Sequence, residues 1–117
     1  MGRLEVICGP MFSGKSEELL RRLKRAQIAG RAFRLYKPAL DNRYSETHVV
    51  THSGIDMPCR VISHAEELLS TPHAVEIIAI DEGQFLDQDT PRVIESLVNE
   101  GHRVIVAGLD MDYNGIP

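Results

Sequence analysis

The chain alternates short, nearly continuous apolar runs with segments in which apolar side chains recur every three or four positions. Apolar runs of this length predict buried strands. The runs lie at 4–8, 32–37, 60–63, 75–81 and 103–110, with a poorer one at 48–52. Buried strands separated by helices are typical of a parallel sheet that helices cover on both faces. The pattern therefore predicts an α/β fold, formed by a single domain over residues 1–117.

Helices are predicted between the strands. Residues 16–29 place their leucines on one face, as in an amphipathic helix. Ser63 and Glu66 form a capping-box pattern that begins a short helix. Thr90 as the N-cap and Pro91 as the first helical residue begin the last helix.

The first strand leads into GPMFSGKS, which fits the phosphate-loop pattern G-x-x-x-x-G-K-[ST]. In such a loop, backbone N–H groups and the following helix N-terminus face the phosphates, and the lysine reaches the β- and γ-phosphates. A chance match is the alternative, but a strand precedes the pattern and a helix follows it. The expected ATP-binding residues are Gly9, Pro10, Met11, Phe12, Ser13, Gly14, Lys15 and Ser16, with the Ser16 hydroxyl as a Mg²⁺ ligand. The expected fold class is thus a P-loop NTPase (RecA-like) domain with a central, mostly parallel β-sheet flanked by helices.

An acidic pair follows the strand at 75–81. Sheets of this class place their ligands at the carboxyl ends of the strands. Asp81 is therefore suited to hold Mg²⁺ or its water, and Glu82 to point towards the reacting oxygen. A carboxylate in that position either orients water, as in an ATPase, or takes a proton from a substrate hydroxyl, as in a kinase. Spacing alone does not decide between these reactions.

Three further charged residues lie in KPALDNRYS, on the predicted loop after the second strand: Lys37, Asp41 and Arg43. An arginine there could neutralise charge on a transferring phosphoryl group, and an aspartate could assist the metal. An ordinary polar loop is the alternative interpretation.

Composition and residue spacing argue against three kinds of interaction: with nucleic acid, with zinc and with a membrane. The net charge of −4 argues against a broad nucleic-acid-binding face. Neither Cys8 nor Cys59 belongs to a C-x-x-C pair, and the histidines lack ligand spacing, so no zinc ligands are expected in this chain. No apolar run approaches the roughly 18 residues of a membrane span, and no apolar leader is present. We expect a cytoplasmic protein without membrane contact.

Taken together, the motifs resemble the type II thymidine kinase family, the cytosolic thymidine kinases. The resemblance covers nearly the whole chain, in the order GPMFSGKS, RRLKRAQIAG, KPALDNRYS, DEGQF and VIVAGLD. A phosphate loop and an acidic pair are common to many P-loop proteins. DNRYS and DEGQF at these separations are far more specific.

This resemblance implies ATP-dependent phosphorylation of the 5′-hydroxyl of thymidine or deoxyuridine, a step of pyrimidine salvage that supplies DNA synthesis. Glu82 would accept the proton of that hydroxyl. The implied Mg-ATP site adds Asp81, Gln84, Asp41 and Arg43 to the phosphate loop. The implied nucleoside contacts are Met11, Phe85 and Tyr113. The family is usually a homotetramer that dTTP inhibits.

One part of the family pattern is missing from the sequence. Family members continue into a small zinc-binding segment with four cysteine or histidine ligands, and then into a lasso loop whose main chain holds the thymine base. The sequence through Pro117 contains neither. We therefore expect a chain that is cut short, with Zn²⁺ and most thymine contacts belonging to the missing segment.

Three hypotheses follow from the sequence. The leading one is a deoxynucleoside kinase, which would transfer the γ-phosphoryl group of ATP to thymidine. The second is a P-loop ATPase or nucleotide-binding module, which would release phosphate without any nucleoside. The third is an inactive fragment that only assembles into oligomers and shows no turnover.

Overall fold

Five parallel strands form the central sheet of the structure, a computed structural model that describes residues 2–7, 14–39 and 47–108. In chain order the elements are β1 (Arg3–Ile7), α1 (Lys15–Ile28), β2 (Phe33–Pro38), β3 (His48–Val50), β4 (Asp56–Pro58), β5 (Arg60–Ile62), a 3₁₀ helix (Ala65–Ser70), β6 (Ile77–Ile80), a short 3₁₀ helix (Gly83–Phe85), α2 (Thr90–Asn99) and β7 (Arg103–Ala107). The strand order is β1-β7-β6-β2-β5, and every neighbouring pair is parallel. β3 and β4 form a separate antiparallel hairpin, the β3–β4 hairpin.

The sheet is buried on both faces, as its apolar runs predicted. All four residues of β6 are fully buried, and alternate ones belong to different cores. Ile77 and Ala79 pack with the leucines of α1, whereas Ile78 and Ile80 pack with α2 and the longer 3₁₀ helix. A strand buried on both faces needs no polar alternation, which explains its continuous apolar sequence. The predicted α/β class, with a parallel sheet between helices, is confirmed.

The short helix after β5 differs from its prediction. It is a 3₁₀ helix, Ala65–Ser70, and its capping acid is Glu67 rather than Glu66. The Glu67 carboxylate accepts hydrogen bonds from the backbone N–H groups of Ser63 and His64, at 2.7 and 2.8 Å. The predicted pair was therefore wrong by one residue, because the N-cap is His64.

The boundaries of the two α-helices shift by a residue as well. α1 begins at Lys15, one residue before the predicted start. α2 has Asp89 as its N-cap, so Thr90 is the first helical residue, and the Thr90 hydroxyl donates to the Asp87 carbonyl at 2.7 Å. Among the described residues, no helix has the length and apolar character that crossing a membrane requires.

Glu5 joins three elements at the edge of the sheet. Its carboxylate accepts two hydrogen bonds from the Arg103 guanidinium on β7, at 2.6 and 3.0 Å, and one from Arg22 of α1, at 3.0 Å. The bidentate bond from Arg103 is the main reason that the pKa of Glu5 lies below its ordinary value of 4.5. β1, β7 and α1 are thus connected by one ionised side chain.

The Glu5→Gln variant tests that connection. We expect the free energy of unfolding to fall by about 1–2 kcal/mol at pH 7, because charge-assisted hydrogen bonds become neutral ones. A depressed carboxyl pKa stabilises the fold above the unfolded value of 4.5, and that contribution is lost as the pH falls below it. Urea unfolding at pH 7 and pH 3 should therefore show a smaller difference at the lower pH. Glu95→Gln, at an exposed position of α2, is the matched control and should have little effect.

Candidate active site

A hydroxyl of α1 and a carboxylate at the end of β6 meet at the carboxyl edge of the sheet. The Ser16 Oγ donates to both carboxylate oxygens of Asp81, at 2.9 and 3.0 Å. Asp81 is 4% exposed, although it lies 65 residues from Ser16 along the chain. Its backbone N–H donates to the carbonyl of Tyr36 on β2, which extends the sheet one residue beyond β6. The two predicted magnesium ligands are therefore side by side.

Gly14 lets the chain turn into α1 at this point. It is the N-cap residue and has φ 80° and ψ 27°, in the left-handed region that favours glycine. Its carbonyl accepts from the N–H of Glu18 at 3.0 Å. Lys15 and Ser16 consequently occupy the first turn of the helix, where unpaired N–H groups and the positive end of the helix dipole favour an anion.

Burial and nearby positive charge shift the pKa of the Asp81 carboxyl group in opposite directions. Burial raises the pKa of its carboxyl above the ordinary 3.8. The hydrogen bonds from Ser16 and from the Glu82 N–H, together with the charges of Lys37 and Lys15, act to lower this pKa, but burial dominates. A divalent cation at this position would add positive charge that favours the ionised carboxylate.

Glu82 lies in an unusual backbone conformation. With φ 54° and ψ 42°, it is the one non-glycine residue with positive φ in the part of the chain that the structure describes. Its N–H donates to Asp81 Oδ1 at 3.0 Å. A left-handed conformation is costly for a residue with a side chain, and such residues cluster at functional sites. The turn separates the two acidic side chains into different environments, with Asp81 buried and Glu82 half-buried at the cavity.

Gly108, which immediately follows β7, was not among the predicted site residues. Its φ is 99°, and a Cβ atom built on it would lie 2.0 Å from Oε1 of Gln84 and 3.1 Å from the backbone N of Gly83. The Gln84 side chain therefore rests on the bare backbone of Gly108. The sequence signal was the glycine in VIVAGLD, but only the fold shows what lies against it.

Lys37 stands where the predicted second strand, the run at 32–37, meets the predicted loop KPALDNRYS. The structure places it inside β2, with 7% of its surface exposed. Tyr36 pairs with Ile80, so Lys37 lies beside Asp81. The Lys37 ammonium donates to the carbonyl of His48 at 3.2 Å. A lysine before a proline at the end of an apolar run was the available signal.

These elements surround a cavity of about 680 Å³. This volume is within the range of about 300–1,000 Å³ that is usual for small-molecule sites. The described residues lining the cavity come from α1, the β6 turn, the β3–β4 hairpin and the end of β7: Gly14, Lys15, Ser16, Glu17, Val50, Thr51, His52, Asp81, Glu82, Gln84, Phe85 and Gly108.

The structure thus brings together six of the sequence-predicted site residues around one cavity, besides Gly14: Lys15, Ser16, Asp81, Glu82, Gln84 and Phe85. The remaining predicted positions lie outside the described residues: Gly9, Pro10, Met11, Phe12, Ser13, Asp41, Arg43 and Tyr113. Cys8 also lies outside them, whereas Cys59 is buried.

The oxygen atoms at this edge fit a magnesium ion that is coordinated partly by the protein and partly by phosphates. Magnesium is usually bound through one or two carboxylates together with phosphate oxygens and water. The Ser16 hydroxyl and the Asp81 carboxylate supply oxygen donors within 3.0 Å of each other. Within residues 2–7, 14–39 and 47–108 there is no group of three or more histidine, cysteine or acidic side chains that could hold a metal ion.

A comparison with protein-family models gives a match over almost the entire chain. The matching model is described as "Thymidine kinase", and it covers residues 2–117. The match includes the phosphate loop, the acidic pair and the segment around Gly108.

The Asp81→Asn variant tests the cost of the buried charge. Because the folded-state pKa is raised, the folded chain holds this proton more tightly than the unfolded chain, and stability falls as the pH rises above 3.8. We expect Asp81→Asn to be more stable than the wild type at pH 7.5, because the variant buries no charge. Each kcal/mol gained in the free energy of unfolding should raise Tm by roughly 4 °C. The difference should shrink as the pH approaches 3.8. Thermal unfolding that shows a less stable variant at pH 7.5 would contradict the dominance of burial.

The Gly108→Ala variant tests the contact with Gln84. Gly101 is a matched control because its φ is 101° and nothing lies within 4 Å of a Cβ atom built there. Both substitutions force a side chain into the left-handed region, at a cost of about 1–2 kcal/mol. Gly108→Ala should lose about 1 kcal/mol more, since the new methyl group meets Gln84 and Gly83. Equal losses in urea unfolding would show that the contact is without consequence.

Proposed function

Since the chain belongs to the thymidine kinase family, we propose that it transfers the γ-phosphoryl group of ATP to the 5′-hydroxyl of thymidine or deoxyuridine. The observation that carries the proposal is the arrangement of Ser16, Asp81 and Glu82 at one cavity. A hydroxyl and a buried carboxylate that are suited to bind Mg²⁺ lie beside a second, half-buried carboxylate at the same cavity. Such a reaction would serve pyrimidine salvage.

The phosphate end of the cavity would bind ATP. Lys15 and the N–H groups at the start of α1 would face the β- and γ-phosphates, next to the backbone of the loop at 9–14. Ser16 and Asp81 would hold Mg²⁺, which neutralises charge on the phosphates when it is bound. Asp41, Arg43 and Gln84 complete the proposed Mg-ATP site on the strength of their motif positions alone.

Glu82 would act as the general base. Its carboxylate would accept the proton of the nucleoside 5′-hydroxyl while the hydroxyl oxygen forms a bond to the γ-phosphorus. The bond from that phosphorus to the bridging oxygen breaks, and ADP leaves with the bonding electrons. Phosphoryl transfer needs little covalent participation by the protein, so orientation and charge neutralisation supply most of the rate. Met11, Phe85 and Tyr113 are proposed to contact the nucleoside.

The strained turn supports this assignment. A left-handed Glu82 keeps its N–H on Asp81 while its side chain lines the cavity. A glycine would adopt this backbone conformation at lower cost, but it would supply no carboxylate. The residue that carries the backbone strain is therefore the one whose side chain the reaction needs.

Glu82→Gln tests the proposed base. With γ-labelled ATP and thymidine, we expect label transfer to slow by about 10²–10⁴-fold, since a positioned general base contributes that much. ATP affinity, measured by calorimetry, should change by less than about twofold, because the phosphate contacts remain. Glu95→Gln on α2 is the matched control and should keep the wild-type rate.

The same assay separates the proposed kinase from the other hypotheses. Label should appear on thymidine and deoxyuridine, with little release of free phosphate when nucleoside is absent. Phosphate release that is independent of nucleoside, with no labelled nucleoside, would identify an ATPase instead. Full-rate transfer by Glu82→Gln would leave the kinase proposal standing but remove its general base.

A further inference from the structure

The β3–β4 hairpin has one face in the core and one face exposed. Val49 and Met57 are buried in the same apolar core as the leucines of α1. The neighbouring Val50 points the other way and is 64% exposed. An exposed valine on a short strand would be unremarkable on an open surface, but Val50 lines the cavity.

Both ends of β3 are fixed to elements of the candidate active site. At the start of the strand, the Lys37 ammonium donates to the His48 carbonyl at 3.2 Å. Beyond its end, the Ser53 hydroxyl donates to the carboxylate of Glu17, in the first turn of α1. The hairpin is therefore held against β2 on one side and against the phosphate-facing turn of α1 on the other.

The turn between the strands is itself internally ordered. The Thr51 N–H donates to the Ile55 carbonyl at 2.9 Å, and the Thr51 hydroxyl accepts from the Ile55 N–H at 3.1 Å. Thr51 is 9% exposed, and its carbonyl also accepts from the N–H of Gly54 at 3.0 Å. Val50 and His52, on either side of Thr51, therefore present their side chains from a defined backbone.

The cavity is lined by two chemically different kinds of side chain. Lys15, Ser16 and Asp81 supply charges and hydrogen-bonding groups. Val50 and the 54% exposed Phe85 supply apolar and aromatic surface. A ligand with an anionic group and a flat, weakly polar ring system is complementary to such a lining, and a nucleotide has these two parts.

We propose that Val50 and His52 of the β3–β4 hairpin form a nucleobase-binding wall of the cavity. The inference rests on the proposed function, because it assigns part of the same ligand. A base packed on this wall covers the valine methyl groups, and the imidazole of His52 offers a flat surface and a hydrogen-bonding edge. Two bases have this chemistry, the adenine of the phosphoryl donor and the pyrimidine of the acceptor.

The test compares ligands with and without a base. Val50→Ser removes the apolar contact at an exposed position, so the fold should persist, which thermal unfolding checks. Calorimetry then measures the affinities of Mg-ATP and of Mg-tripolyphosphate, which has the phosphates but no base. If the wall binds adenine, ATP affinity falls by about three- to tenfold and tripolyphosphate affinity is unchanged. Val50→Ile, which keeps the apolar contact, should retain wild-type affinity.

The acceptor base is tested in a second arm. Thymidine affinity is measured in the presence of a non-hydrolysable ATP analogue. A three- to tenfold loss for Val50→Ser in this arm, with ATP affinity unchanged, would assign the wall to the pyrimidine base. Ile28→Ser, at a 79% exposed position near the end of α1, is the matched control and should change neither affinity.

Two results would overturn the inference. Unchanged affinities in both arms would show that Val50 touches no base. Equal losses for ATP and tripolyphosphate would show that the hairpin acts through the phosphates instead. The proposed function fails separately, in the wild type, if neither Mg-ATP nor Mg-tripolyphosphate binds, and the inference would fail with it.

Discussion

The contact between the Ser16 hydroxyl and the Asp81 carboxylate depends on almost every other feature of the fold. Ser16 reaches this position because Gly14 turns the chain into α1 in a left-handed conformation. Asp81 reaches it because β6 runs through the middle of a parallel sheet and ends at the same edge. Only β7 separates β1 from β6 in the sheet, so both residues reach one point from distant parts of the sequence. The cavity, the strained turn and the hairpin are all arranged around that point.

Stability and function place opposite demands on this edge of the sheet. Burial of Asp81 raises its pKa, so its ionised form costs stability, and a bound cation would offset that cost. Glu82 adds backbone strain next to it. Glu5, in the middle of β1, stays ionised because hydrogen bonds from Arg103 and Arg22 outweigh the effect of its burial on its pKa. The ion pairs that stabilise the fold are therefore separate from the buried carboxylate of the candidate site.

Much of the architecture could be predicted from the sequence because it depends on local periodicity. The spacing of the leucines in α1 predicts which face of that helix is buried, and the continuous apolar run of β6 predicts a strand that is buried on both faces. The errors are at element boundaries and at contacts between distant residues. Glu67 rather than Glu66 caps the longer 3₁₀ helix because its N-cap is His64, one residue after the predicted Ser63. Nothing in the local sequence shows that Gly108 lies under Gln84, or that Val50 faces a cavity.

The central claim, that Ser16 and Asp81 hold the metal of a bound nucleotide, can be measured directly with Mn²⁺ in place of Mg²⁺. Paramagnetic Mn²⁺ bound with a non-hydrolysable ATP analogue broadens the NMR signals of nearby backbone amides. We expect strong broadening at Ser16, Asp81 and Glu82, and much weaker broadening at His102, which precedes β7 at the other edge of the sheet. Selective broadening at any other group of amides, with Ser16 and Asp81 unaffected, would contradict the account.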